Sequence, residues 1–301
     1  MSNIFRPQKL NDIIGQVNTV KRLQISIDAA KKENRALGHT LFFGQSGCGK
    51  TLLSSVLASE MGVSLTVANA PNINSVKELL PYVVNQTERG ILFIDEIHRC
   101  NKKVQEILFP VLEDFKLDMI SRGQCISMDL PKFTIIGSTT EEFLLLKTLK
   151  MRFIHHEYLT PYTINEMCEL ITINAEKVGL NIDKASIKMV AERCRKTPRI
   201  ANSLIQWLKD YSIAKNISNI NVSITEKALE IKGIDERGMN HQDKTYIDFL
   251  KKQGCPTGVE TLSAATNIPV NTIKEFIEPY LLDLGMITKT SKGRILNDKK
   301  T

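Results

Sequence analysis

Eight consecutive residues, Gly44-Gln45-Ser46-Gly47-Cys48-Gly49-Lys50-Thr51, restrict the fold more than any other part of the chain. Gly44, Gly47 and Gly49 permit left-handed backbone angles, so successive N–H groups can turn inward toward one point. A lysine and a hydroxyl residue follow at once. The pattern fits GxxxxGK[ST], in which backbone amides wrap a β-phosphate, Lys50 reaches the β- and γ-phosphates, and the Thr51 hydroxyl ligates Mg²⁺. Such a loop works between a strand and the start of a helix, whose dipole adds positive potential. Both flanks are present: an apolar run at 41–43 precedes it, and Leu52, Leu53, Val56 and Leu57 follow with helical spacing.

The same alternation extends through the first half. Short apolar runs at 41–43, 64–68, 91–94 and 133–137 are separated by helix-patterned segments, which predicts a parallel sheet with helices on both faces. After Phe153 the strand signals stop. Pro161-Tyr162-Thr163 opens helix-like stretches at 164–178, 187–194 and 200–213, with Thr163 and Glu166 at capping-box spacing. Beyond Asn240, helical patterns at 246–250, 259–265 and 273–284 lead into Met286-Ile287-Thr288-Lys289-Thr290, a basic turn and a second strand. Three helices followed by a β-wing make a winged helix. The expected division is an α/β nucleotide-binding core at 1–158, an all-helical lid at 159–234 and a winged-helix DNA-binding domain at 235–301. A chain of 301 residues is long enough for two or three domains.

Composition narrows the class further. At 42% hydrophobic and 24% charged, the chain reads as soluble and globular. No stretch approaches the roughly 18 consecutive apolar residues of a membrane span, and the N-terminus lacks an apolar secretory core. A cytoplasmic location is therefore expected, with no membrane partner. Six scattered cysteines without a CxxC pair fit neither a disulfide framework nor a zinc site. The net charge of +7 suggests a polyanionic partner, and five basic residues against one acidic residue lie between Lys289 and Thr301.

Ile91-Leu92-Phe93-Ile94-Asp95-Glu96 supplies a second half to the phosphate site. Its apolar residues build a buried strand, and two carboxylates emerge where α/β sheets bind ligands. Asp95 would hold Mg²⁺, and Glu96 would orient and deprotonate an attacking water. Thr139-Thr140 ends another apolar strand, at the place of a polar γ-phosphate sensor. Arg152 lies where an arginine can reach into a neighbouring subunit's nucleotide site. Arg199, in Thr197-Pro198-Arg199, begins a lid helix and can touch the γ-phosphate of its own subunit.

In this order, these stretches closely resemble the RuvB family of AAA+ P-loop NTPases. Arg6-Pro7 with Ile14-Gly15-Gln16 looks like its N-terminal nucleotide-pocket signature, and Ile94-Asp95-Glu96-Ile97-His98-Arg99 resembles its Walker B run. Leu130-Pro131, Phe133-Thr134, Gly137 and Thr139-Thr140 resemble its sensor-1 strand, with Thr140 as the sensor. Arg152-Phe153 is similar to the arginine-finger dipeptide, and Thr197-Pro198-Arg199-Ile200-Ala201-Asn202 to the sensor-2 motif. Glu278-Pro279-Tyr280-Leu281 and the segment from Lys289 to Arg294 resemble the family's winged-helix recognition segment and basic wing. The likeness implies an ATP- and Mg²⁺-dependent homo-hexameric ring that encircles double-stranded DNA and drives branch migration of four-way Holliday junctions in recombination and repair. It implies catalytic roles for Lys50, Glu96 and Arg152. Nucleotide contacts would come from Arg6, Pro7, Ile14, Gly44, Gly47, Cys48, Gly49, Lys50, Thr51, Asp95, Thr140, Tyr162 and Arg199. Lys289, Lys292 and Arg294 would contact DNA phosphates.

The chain also departs from the family. Gln45-Ser46 stands where two prolines are usual, Cys48 where leucine is usual, and Lys150 where the family has a further arginine. The segment between Leu117 and Phe133 is shorter. The resemblance implies a RuvA-type partner gripped by a hairpin in that segment, and the shortened hairpin, residues 120–126, speaks against it. Two other readings share the core: a clamp-loader-like ATP switch, which lacks a winged-helix ending, and a nucleotide-controlled DNA-binding regulator, which needs no hydrolytic Glu96 or Arg152.

Overall fold

The computed structural model describes residues 3–121 and 124–297. It divides into two compact units, Met1–Tyr162 and Thr163–Thr301.

In the first unit, α1 (Val17–Lys32) leads into β1 (Thr40–Phe43), the glycine-rich loop and α2 (Lys50–Met61). Then come β2 (Leu65–Asn69), α3 (Val76–Val84), β3 (Ile91–Asp95), α4 (Lys102–Glu113), the β4–β5 hairpin (Lys116–Ser121, Gln124–Asp129) and β6 (Thr134–Thr139). A short α5 (Lys147–Lys150) and β7 (His155–Tyr158) complete it. The five long-sheet strands pair in parallel in the order β2-β3-β6-β1-β7.

Alternate residues of each strand face opposite sides of the sheet. Leu41, Phe43, Leu92, Ile94 and Ile135 pack with α3 and α4, whereas Phe42, Ile91, Phe93 and Ile136 pack with α1 and α2. Both faces are covered, which is why the central strands read as unbroken apolar runs. The expectation that strands end at Phe153 is corrected by β7. Its sequence, His-His-Glu-Tyr, carries no apolar run because it is an edge strand bonded only to β1, and only Glu157 in it is buried. The hairpin expectation at 120–126 lies partly outside the described residues.

The second unit opens with α6 (Ile164–Lys177), capped reciprocally by Thr163 and Glu166 as the spacing predicts. Helices α7 (Lys184–Arg193), α8 (Pro198–Ala214) and α9 (Val222–Ile231) follow. Next come α10 (His241–Gln253), α11 (Val259–Thr266) and α12 (Val270–Thr272), a π-turn at Ile273–Ile277, α13 (Glu278–Asp283), and the wing strands β8 (Ile287–Thr290) and β9 (Gly293–Leu296). Pro279 accounts for the widened turn: it cannot donate to the carbonyl four residues back, and its ring crowds that carbonyl. Just past the turn of the wing, Gly293 has φ +132, and a Cβ there would fall 2.4 Å from the Thr257 carbonyl oxygen. The close approach admits the paired backbone bonds between Thr257 and Arg294.

A charged corner joins the four-helix segment to the winged helix. Arg195 and Lys196, both with positive φ, turn the chain from α7 into α8. The Arg195 guanidinium bonds Asp243 of α10 and the Gly238 carbonyl, and lies 4.4 Å over the Tyr280 ring. Lys196 pairs with Asp283 at 2.9 Å. Because Asp243 is fully buried, removing Arg195 leaves its charge unpaired in the interior, with the Asn240 N–H still bonded to it. Arg195→Ala is expected to cost about 3–5 kcal/mol. The sole tryptophan, Trp207 on α8, reports unfolding of this unit by its fluorescence in urea. A variant with the wild-type midpoint would show that the corner is not a stabilising contact.

Candidate functional site

The site forms where β1, β6 and β3 end side by side. Register sets Phe43 beside Thr139 and Ile94 beside Gly137, so the residues after each strand emerge at one edge. From β1 comes the glycine-rich loop. Gly44, Gly47 and Gly49 have φ of +148, +86 and +100. At Gly44 space is also limiting, since a Cβ would lie 2.8 Å from the Leu159 carbonyl oxygen. Gly49 caps α2, and Lys50 and Thr51 form its first turn. Lys50 is buried, and its ammonium donates to the Gly44 and Gln45 carbonyls at 2.7 and 3.0 Å, which sets it inside the curl of the loop. Thr51 is exposed. Cys48 is buried; burial raises its thiol pKa against the opposing charge of Lys50, keeping it a neutral packing group.

From β3 come the two carboxylates, and β6 holds both. The Ser138 hydroxyl donates to Asp95 Oδ1 at 2.5 Å and accepts the Glu96 N–H at 3.2 Å. Glu96 has a left-handed backbone, φ 54 and ψ 43, an uncommon conformation for a residue with a Cβ. Its Oε2 accepts from the Thr140 hydroxyl at 3.3 Å and lies 3.3 Å from His98 Nε2. Asp95, Glu96 and Thr140 are thus brought together with the glycine-rich loop. Ser138 is a site residue that sequence reading missed, because a serine one place before a Thr-Thr pair carries no signal of its own.

The remaining expected residues are spread around this centre. Arg6 is exposed and Pro7 and Ile14 are half-buried in the segment before α1. Gln16, just past Ile14, exchanges bonds with the backbone of Thr160 (2.7 and 3.2 Å), tying this segment to the approach of Tyr162. Tyr162 is buried, and its hydroxyl is 4.0 Å from where a Gly49 Cβ would stand. Arg152 is not at the glycine-rich loop. Its guanidinium bonds Glu113 and the Thr148 carbonyl and lies 4.3 Å over Phe109, on the α4 side. Arg199 belongs to the second unit and is exposed in the first turn of α8.

The three wing cations differ from one another. Glu278, fully buried at the start of α13, accepts from Arg294 Nε at 2.6 Å and lies 2.7 Å from Lys289 Nζ. Burial opposes its charge, but the bonds from Arg294 and Lys289 outweigh that and hold the carboxyl below its usual range. Lys292 is exposed and enters no ion pair among the described residues.

The alignment of three strand ends behind a glycine cradle defines a P-loop nucleoside triphosphatase, and the helical segment after the sheet places it in the AAA+ class. Three family models match in order: the Holliday junction DNA helicase RuvB P-loop domain over residues 5–159, the RuvB AAA lid domain over 162–235 and the RuvB C-terminal winged helix domain over 236–300. The chain belongs to the RuvB family. It is 36% identical to the Holliday junction branch migration complex subunit RuvB of Rhodopirellula baltica, across 98% of this chain and 82% of that protein. Its identity to the Nitratiruptor sp. subunit of the same name is 40%, across 97% and 88%. Among solved structures, the Thermotoga maritima RuvB Holliday junction branch migration motor superposes with a TM-score of 0.90 at 33% identity, covering 99% of this chain and 97% of that one.

The crowding at Gly44 gives a direct check on the cradle. Gly44→Ala combines a strained φ, worth about 1–3 kcal/mol, with a backbone clash, and is expected to lose nucleotide binding in a fluorescent-ATP titration. Gly49→Ala meets no backbone atom within 4 Å and should retain more of it. Equal affinities in the two variants would remove the Leu159 contact from the account.

Proposed function

We propose that this chain is the ATP-hydrolysing motor subunit of a homo-hexameric ring that moves double-stranded DNA and drives branch migration at Holliday junctions. The observation that carries the reading is the convergence of Lys50, Asp95, Glu96 and Thr140 at one sheet edge, in a chain whose whole length follows the RuvB plan. In this reading the backbone of Gly44, Gly47, Cys48 and Gly49 cradles the phosphates and Lys50 neutralises them. Thr51 and Asp95 hold Mg²⁺; a hydroxyl and a carboxylate are the hard oxygen donors that ion takes. Bound there, it would supply charge screening at the transferring phosphate. Glu96 takes the proton of the attacking water, and Thr140 reads the γ-phosphate. Arg6, Pro7, Ile14 and Tyr162 form the base-binding side, and Arg199 adds a nucleotide-sensing charge. We assign residues 1–158 to the nucleotide core, 159–234 to the lid and 235–301 to the DNA-binding domain.

Arg152 acts on a neighbouring subunit. Support comes from its flanks: Met151 and Ile154 are 74% and 73% exposed and Phe143 is 78% exposed, apolar surface suited to another copy of the chain. The test is complementation. Arg152→Ala and Lys50→Ala should each lose hydrolysis, the former by about 10³- to 10⁵-fold with ATP binding kept. Mixing them should restore part of the rate, because a Lys50→Ala subunit still supplies Arg152 to its neighbour. No recovery in mixed rings would overturn the trans assignment. ATP-dependent migration of a synthetic four-way junction, blocked by Glu96→Gln, tests the motor as a whole. Running it with and without a RuvA-type protein reads whether the shortened hairpin supports that partner.

DNA is engaged by the winged helix. Of the three wing cations, Lys292 is the best placed to meet a phosphate, while Arg294 and Lys289 are partnered by Glu278. Lys292→Ala should weaken duplex binding regardless of sequence and reduce the slope of log K against log salt by about 1, with the thermal midpoint unchanged. Arg294→Ala should instead lower the midpoint. An unchanged salt slope in Lys292→Ala would remove it as a phosphate contact.

A further inference from the structure

Behind Glu96 stands a buried histidine to which the hydrolytic scheme above gives no part. His98 is 6% exposed and sits in a one-turn helix, Ile97–Arg99, directly after the carboxylates. Its Nδ1 lies 2.9 Å from the Thr139 hydroxyl, and Nε2 lies 3.3 Å from Glu96 Oε2 and 3.5 Å from Glu141 Oε2. We propose that His98 is a positioning residue for Glu96, holding its carboxylate by an Nε2–H bond so that Oε1 faces the attacking water. The inference rests on the reading of Glu96 as the base.

Geometry sets the ring's tautomer. The partners of the two ring nitrogens decide which one donates: Nε2 lies against carboxylate oxygens, and Nδ1 against a hydroxyl that also accepts the Glu141 N–H at 3.0 Å. Nε2 therefore carries a proton, and in that tautomer Nδ1 accepts from the Thr139 hydroxyl. That proton meets two carboxylates, which accept and do not donate. The chain of bonds runs from the Glu141 amide through Thr139 and the imidazole to Glu96. Thr139 is 1% exposed, so the relay is anchored in the core of the sheet.

Glu96 needs such an anchor for two reasons. Its left-handed backbone is held by the Ser138 hydroxyl, which fixes the main chain but not the carboxylate. Its other donor is Thr140, the γ-phosphate sensor in the proposed scheme. A hydroxyl has one proton. When Thr140 turns that proton to a phosphate oxygen, it releases Glu96, and His98 is the donor that stays. Both donors meet on Oε2, so Oε1 is the oxygen that takes a proton from water. A carboxylate swinging between rotamers would spend less time within reach of that water, lowering turnover without touching nucleotide affinity.

The test exploits amide length. In His98→Gln an amide N–H reaches the place of Nε2, whereas in His98→Asn the amide reaches only the place of Nδ1 and loses Glu96. In the assembled protein, His98→Asn is expected to lower kcat for ATP by about 10- to 100-fold, as loss of an outer-shell partner typically does. KM, affinity for a non-hydrolysable ATP analogue and thermal midpoint should be unchanged. His98→Gln should recover most of kcat. Wild-type kcat in the Asn variant, or a Gln variant as slow as Asn, overturns the assignment. So does a fall in analogue affinity that matches the fall in kcat. Glu96→Gln separates the two readings: if it hydrolyses ATP normally, the role of Glu96 fails and His98 with it. If it is inert while His98→Asn is normal, only the positioning role fails.

Discussion

Placing β6 between β1 and β3 is the constraint on which the nucleotide site depends. The glycine-rich loop leaves β1 and the carboxylates leave β3, and neither strand touches the other. Only through β6 do their ends reach a common level, and β6 adds the hydroxyls that finish the site. Ser138 holds Asp95 and the Glu96 backbone, Thr139 holds His98, and Thr140 holds the Glu96 side chain. A slip of one residue in β6 would turn this set to the wrong faces. The register is secured from below by apolar residues packed on both sides of the sheet.

Three buried carboxylates elsewhere among the described residues share a pattern: each is placed where two elements must be held together. Glu157 of β7 bonds Arg22 of α1, Asp243 of α10 bonds Arg195 before α8, and Glu278 of α13 gathers Arg294 and Lys289 from the wing. Each buried carboxylate would be costly alone, so each fixes the position of its cation. Part of the chain's positive charge is therefore neutralised internally, and the number of basic residues overstates how many face a polyanion. The wing shows this most clearly, since its most buried cation, Arg294, is also its most tightly paired.

Much of this was legible without coordinates. Central strands covered on both faces must be apolar throughout, and glycine spacing with a following lysine admits few folds, so the P-loop, the β3 carboxylates and the Thr163 capping box could be read directly. The edge strand β7 could not, because one-sided pairing removes the need for an apolar run. Ser138 was equally silent, since an isolated polar residue signals nothing until its neighbours are known, and His98 stood in the Walker B run with no role legible for it.

Local periodicity and turn chemistry, written in the order of the residues, were enough to settle the α/β core, its phosphate-binding loop, the helical segment and the winged helix. Which polar side chains meet was settled by tertiary structure. Thr140 reaching Glu96, Thr139 orienting His98 and Glu278 drawing in Arg294 join residues from different elements. Those contacts exist only once strand register and helix packing bring the side chains within hydrogen-bonding distance, a condition that local sequence does not express.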